Sequence, residues 1–197
     1  MKVNILLVSI LTNCLVGGYP AVQSVRAEPL IQAVQPEWKE FSSPEGGFSV
    51  LMPVPPTQKR QSTNSSTLSL DSNLFTASLE EGKVIYSVAY TNFPEELADF
   101  PPNLLLDSLS HRFTNDKTIK LLSQQDISFG KYPGKEFKFE SPGEILVKHR
   151  TYIVEKRLYQ LTAEIPKARE SALSNDSDRF LNSFRLQKSG LTQSLYK

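Results

Sequence analysis

The chain has 197 residues, of which 39% are hydrophobic and 22% charged, a composition that excludes a disordered chain and suffices for a buried core. Its formal net charge is +1, so no strong field draws it to nucleic acid or to an anionic surface.

The first 27 residues predict an export signal. Lys2 is a short positive start, and the run from Val3 to Val16 is mostly apolar but interrupted by Asn4, Ser9, Thr12 and Asn13. That run is shorter than the roughly 20 apolar residues a membrane span needs. Gly17, Gly18 and Pro20 then break it, and Val25-Arg26-Ala27 places cleavage after Ala27. An uncleaved anchor is the alternative. The single cysteine, Cys14, lies in this leader; lipidation there is a second alternative, although Asn13 stands where a small residue is expected. Removal of the leader leaves no cysteine, which excludes disulfides, a thiolate nucleophile and cysteine metal ligands. The expected location is outside the cytoplasm, in a periplasm or a thylakoid lumen, with no transmembrane span in the mature chain.

Residues 28–37 read as a tether, 38–187 as one domain and 188–197 as a flexible tail. The domain begins at Trp38, and Ser42-Ser43-Pro44-Glu45-Gly46-Gly47 is dense in turn formers. Phe48 to Met52 is a strand ended by Pro53, Pro55 and Pro56. Thr57 to Leu70 is polar and predicts one or two exposed strands. Phe75, Ala77 and Leu79 then share one face, Glu80-Glu81-Gly82-Lys83 turns, and Val84 to Tyr90 alternates with Val84, Tyr86, Val88 and Tyr90 on one side and Ile85 and Ala89 on the other. Apolar groups on both sides predict a sheet covered on both faces.

Phe93 to Leu97 is a loop or short helical turn. Pro102 suits a first helical position, and Leu105, Leu106, Leu109 and Phe113 make one helical stripe that ends at Asn115. Strands follow over Lys120–Ser128 and Lys135–Glu140. The strongest β pattern is Glu144 to Pro166, two long strands joined near Glu155-Lys156: Ile145, Val147, Thr151 and Ile153 share one face, Leu146, Tyr152 and Val154 the other, and Tyr159, Leu161, Ala163 and Ile165 form an apolar row. The cap-rich run Ser174 to Asp178 predicts the start of a closing helix through Phe180, Leu181 and Phe184, with Asp176 and Asp178 complementing its dipole.

Two segments carry a family likeness: Phe41-Ser42-Ser43-Pro44-Glu45-Gly46-Gly47-Phe48-Ser49-Val50-Leu51-Met52-Pro53, and Arg157 to Ala163 followed by Phe180-Leu181-Asn182-Ser183-Phe184. Together they resemble exported proteins of cyanobacteria and planctomycetes and, more distantly, the PsbP/Mog1-like superfamily. The resemblance covers roughly Trp38 to Leu186 and implies an α+β fold, an antiparallel β-sheet flanked by helices on both faces (an α/β/α sandwich). PsbP proteins are extrinsic subunits of photosystem II on its lumenal side. Here Val54-Pro55-Pro56 stands where a tryptophan commonly follows the early proline, and no functional residue transfers.

The candidate chemistry is thin. His111 lies opposite the apolar helix stripe and reads as a surface residue; His149 alternates with Val147 and Ile153 and has no identifiable Ser or Asp companion. Glu95, Glu96 and Asp99 lack a ligand spacing, and Gly46-Gly47, with no following helix or lysine, is a turn rather than a phosphate cradle. No catalytic residue, metal site or cofactor is assigned. Lys148, Arg150, Lys156 and Arg157 lie among Glu144, Glu155 and Glu164, which predicts cross-strand pairing or a basic patch. The candidate partner-binding residues are Arg150, Tyr152, Arg157 and Tyr159, since arginine and tyrosine are favoured at interfaces. The expected function is a non-enzymatic interaction or accessory domain acting on a protein of the envelope or thylakoid membrane, such as an assembly factor for photosystem II. The alternative is a small-molecule or lipid carrier with an apolar cavity lined by residues such as Tyr86, Tyr90 and Leu109; an enzyme would need an acid–base pair hidden by sequence order.

Overall fold

The computed structural model describes residues 36–64, 69–98 and 100–187. The leader, Cys14, most of the tether, Asp99 and the tail lie outside the described residues.

Among the described residues, ten strands form two antiparallel sheets. β1 (Lys39–Ser43), β2 (Phe48–Met52) and β10 (Arg185–Leu186) make a small sheet in the order β1-β2-β10. The large sheet runs β3-β4-β5-β9-β8-β7-β6, built from β3 (Thr57–Asn64), β4 (Ser69–Leu79), β5 (Val84–Asn92), β6 (Lys120–Phe129), β7 (Tyr132–Ser141), β8 (Ile145–Val154) and β9 (Arg157–Pro166). Three helices are α1 (Glu95–Ala98), α2 (Pro102–Asn115) and α3 (Glu170–Asn182).

The period-2 alternation of β5, β8 and β9 sends alternate side chains to opposite faces. On one face α2 lays Leu105, Leu106 and Leu109 beside Ile153 and Leu158. Phe113 of the same helix reaches Phe137, with ring centroids 4.5 Å apart. On the other face lie α3 and the small sheet. There Phe48, Val50 and Met52 of β2 join Phe180, Leu181 and Phe184 over Tyr86, Val88, Tyr90, Tyr159, Leu161, Ala163 and Ile165. The fold is α+β, with a large antiparallel sheet covered by a helix on each face, as the sequence predicts, and with a second sheet sharing one of those faces.

The sequence pattern does not predict the second sheet. Its third strand is only Arg185–Leu186, too short to leave a periodic signal, and it exists because Arg185 pairs with Ser49 and Leu186 with Phe48. The likeness-bearing segments meet at this point. Leu51 N donates to Ser183 Oγ at 2.8 Å, and the Phe48 and Phe184 rings lie 5.8 Å apart.

The start of α3 is corrected. The helix begins at Glu170, so Ser174, Asp176 and Asp178 lie inside it and Phe184 lies beyond it. Polar residues that favour caps in isolation are held in the helix by contacts that the sequence does not display. Glu170 and Asp178 are paired to sheet lysines, and Ser177 Oγ donates to Leu173 O at 3.1 Å.

Candidate functional site

The β8–β9 hairpin places Arg150, Tyr152, Arg157 and Tyr159 on the face toward α3 and the small sheet. Tyr152 stands directly opposite Tyr159 in the register. The four residues are brought together, but as an internal buttress. Tyr159 is wholly buried and its hydroxyl donates to Gly46 O at 2.7 Å. Arg157 Nη1 donates to the same carbonyl at 2.7 Å and to Glu45 O at 3.2 Å, while Nε donates to Asn92 Oδ1 at 2.7 Å. Its guanidinium sits 4.9 Å from the centre of the Tyr90 ring. The two residues therefore tie the β1–β2 turn to the large sheet. That turn needs glycine: a Cβ on Gly46 would lie 2.6 Å from the Phe48 ring and 2.8 Å from Ser43 Oγ, and Gly47 has a φ of 66°.

Arg150 fastens the other end of the same face. Its Nε donates to Glu136 Oε2 at 2.5 Å and its Nη1 to Asn182 Oδ1 at 2.8 Å, which ties the end of α3 to β7 and β8. Tyr152 is buried and stacks on Phe184 with an interplanar angle of 4°. Burial pushes the Tyr152 and Tyr159 hydroxyls above the usual phenol range. Both tyrosines belong to the core.

The expected pairing of hairpin cations with Glu144, Glu155 and Glu164 is corrected as well. Lys148 meets Asp178 of α3, Lys156 meets Glu95 of α1, and Arg150 meets Glu136 of β7. The hairpin turn carries Glu155 away at a φ of 53°, and Glu164 sits on the face opposite Lys148, facing Val147 and Ile85 across the ladders. Burial raises the Glu164 carboxyl above its ordinary value.

Under α3 lies a cleft of about 110 Å³, lined by Lys138, Lys148, Leu146, Ala163, Ile165 and Glu170, with Ser174 and Ser177 above. No sequence signal marks it, because its residues come from four elements and share no motif. The cavity expected for a carrier does not form as drawn: Tyr86 and Tyr90 are buried toward α3, whereas Leu109 is buried beneath α2 on the other side of the sheet.

His149 faces α2. Its Nδ1 lies 2.9 Å from Thr162 Oγ1, and its ring packs 5.3 Å from the Phe113 ring. Burial lowers its pKa to about 4. Its Nε2 and the Thr151 hydroxyl are buried without a protein partner. His111 is exposed. Among the described residues no group of three or more His, Cys, Asp or Glu is placed to hold a metal ion, and no helix is long and apolar enough to cross a membrane.

No protein-family model and no curated protein matches the chain. Among solved structures it is similar to cyanobacterial PsbP (CyanoP) from Synechocystis, at 12% identity over 81% of this chain and 98% of that one, with a TM-score of 0.52. It is also similar to LpqN of Mycobacterium tuberculosis, a protein involved in cell envelope biogenesis, at 12% identity over 77% of this chain and 91% of that one, with a TM-score of 0.45. The CyanoP likeness shows a PsbP-like fold; at this identity it speaks to the fold alone.

Proposed function

We propose that the chain is an exported, non-catalytic accessory domain that binds a protein of the envelope or thylakoid membrane. The observation that carries this reading is the PsbP-like fold, matched over 98% of CyanoP, in which the reactive groups of the hairpin serve the fold itself. Arg150 and Arg157 end on Glu136, Asn182, Asn92 and backbone carbonyls. His149, the buried imidazole, sits between aromatic rings with a threonine, not a nucleophile and a carboxylate, beside it. That the charged and aromatic groups of the hairpin are engaged in holding the fold together supports a role by contact.

The test is expression of the full chain with a C-terminal tag in its own host, followed by fractionation and affinity capture read by mass spectrometry. The reading expects an intact mass that begins after Ala27, recovery outside the cytoplasm, and one enriched membrane complex. Recovery from the cytoplasm with residues 1–27 still attached would refute export, and capture without any stoichiometric partner would refute the accessory role. A second reading, a carrier for a small ligand, is favoured by the cleft under α3.

A further inference from the structure

Two lysines face each other across the β7–β8 ladder. Lys138 is in register with Lys148, and both line the cleft under α3. Like charges placed directly opposite on a sheet are unfavourable. Helix α3 offsets them with one carboxylate each: Lys138 Nζ lies 2.7 Å from Glu170 Oε1, and Lys148 Nζ lies 2.6 Å from Asp178 Oδ1. Those carboxylates are eight residues apart, about 12 Å along a helix, so they approach the lysine pair from its two ends. Ser174 and Ser177 occupy the helix face between them.

This arrangement leaves hydrogen-bonding capacity turned into the cleft. An ammonium has three donors, and each ion pair uses one of them. The cations are also the more deeply placed partners: the lysine side chains are 30% and 23% exposed, against 43% for each acid. The lining holds two ammonium groups and one carboxylate, Glu170, while Asp178 reaches Lys148 from outside it. Beneath the lysines the floor is apolar, made of Leu146, Ala163 and Ile165, all buried. A space of 110 Å³ matches roughly four waters at about 30 Å³ of liquid volume each, so it suits a ligand of only a few non-hydrogen atoms.

We propose that this cleft binds a monocarboxylate on a short apolar stem. The carboxylate bridges the Lys138 and Lys148 ammonium groups, and the stem lies on Leu146, Ala163 and Ile165. Each ammonium keeps N–H donors beyond the one its ion pair uses, which suits the two oxygens of a carboxylate, and the apolar floor of Leu146, Ala163 and Ile165 suits a hydrocarbon stem rather than the further oxygens of phosphate or sulfate. Two sources share this chemistry: a free short-chain carboxylic acid, and the C-terminal residue of a peptide with a small apolar side chain. The inference gives the carrier reading a ligand class and does not require the partner protein of the accessory reading.

The experiment is isothermal titration of the purified chain at low ionic strength with propionate, with an alanine-terminated tripeptide, with the C-terminal amide of that tripeptide, and with inorganic phosphate. The proposal expects saturable binding of propionate or the acid tripeptide, with a dissociation constant on the order of 1 mM for so small a ligand. It expects no binding of the amide or phosphate. Propionate alone assigns a free acid; a tripeptide that binds more tightly than propionate assigns a chain terminus. Lys148→Met is expected to weaken binding at least about tenfold, the size of one lost charge-assisted hydrogen bond. Lys156→Met, which alters an ion pair with Glu95 at the turn of the β8–β9 hairpin, leaves binding unchanged. Ser174→Leu fills the cleft from the helix side without touching either ion pair, and abolishes binding while the unfolding midpoint holds. Absence of binding by both carboxylates, equal binding of phosphate, or full binding by a folded Ser174→Leu chain overturns the proposal.

Discussion

The Tyr159 hydroxyl and the Gly46 carbonyl, 113 residues apart, are joined by a hydrogen bond of 2.7 Å in the interior of the protein. The bond couples the β8–β9 hairpin to the turn of the small sheet, with the Arg157 guanidinium on the same oxygen. Tyr159→Phe leaves that oxygen with the arginine alone. The expected loss is about 1 to 2 kcal/mol, read as a lower urea midpoint at an unchanged slope. Gly46→Ala is expected to cost more, about 2 to 4 kcal/mol, because its methyl group meets the Phe48 ring and Ser43 Oγ inside contact distance. A Gly46→Ala chain as stable as Tyr159→Phe would mean that the turn gives way readily.

His149 makes stability depend on acid. Its folded pKa is about 4, below the ordinary 6.5, so the folded state favours the neutral ring. Its contribution is complete above pH 6.5 and is lost as the pH falls from 6.5 through 4, because the unfolded chain takes up the proton first. The loss amounts to about 2 to 3 kcal/mol near pH 4.5. Urea midpoints of the wild type and His149→Leu at pH 7 and pH 4.5 test this. The wild type is expected to fall further between the two, and parallel declines would contradict it.

Thr151 and Thr162 flank the same imidazole side of the sheet but differ in what their hydroxyls do. The Thr151 hydroxyl is buried and unpartnered, whereas Thr162 Oγ1 meets His149 Nδ1. Thr151→Val is expected to be neutral or stabilising by up to about 1 kcal/mol, and Thr162→Val destabilising by about 1 to 2 kcal/mol. Thermal melts of the two variants give the comparison, and the opposite order would refute the assignment of the hydrogen bond.

Glu81 occupies the left-handed region, at φ 55° and ψ 34°, in the turn between β4 and β5. Glycine adopts that conformation without the steric cost a side chain imposes. Glu81→Gly is expected to stabilise by about 0.5 to 1 kcal/mol, visible as a raised melting temperature. The neighbouring Glu80 is paired with Arg169 and serves as a contrast: Glu80→Gly loses an ion pair as it gains backbone freedom, so its net gain is smaller.

The sequence alone determined which residues alternate and therefore which side chains share a face. Val84, Tyr86, Val88 and Tyr90 separate from Ile85 and Ala89, Leu146, Tyr152 and Val154 separate from Val147, Thr151 and Ile153, and the stripe Leu105, Leu106, Leu109 and Phe113 makes α2, because these patterns follow from the pitch of a strand or a helix over a few neighbouring residues. Only the tertiary structure decided what each face meets. Arg150, Tyr152, Arg157 and Tyr159 read as an interface because arginine and tyrosine suit one, yet their partners are Glu136, Asn182, Phe184 and the Gly46 carbonyl. Helix α3 starts at Glu170 despite the cap-forming run inside it, since sheet lysines bind both Glu170 and Asp178. The cleft between those ion pairs has no local signature at all. Local periodicity specifies orientation, whereas a site assembled from β7, β8, β9 and α3 exists only once chain segments distant in sequence have packed.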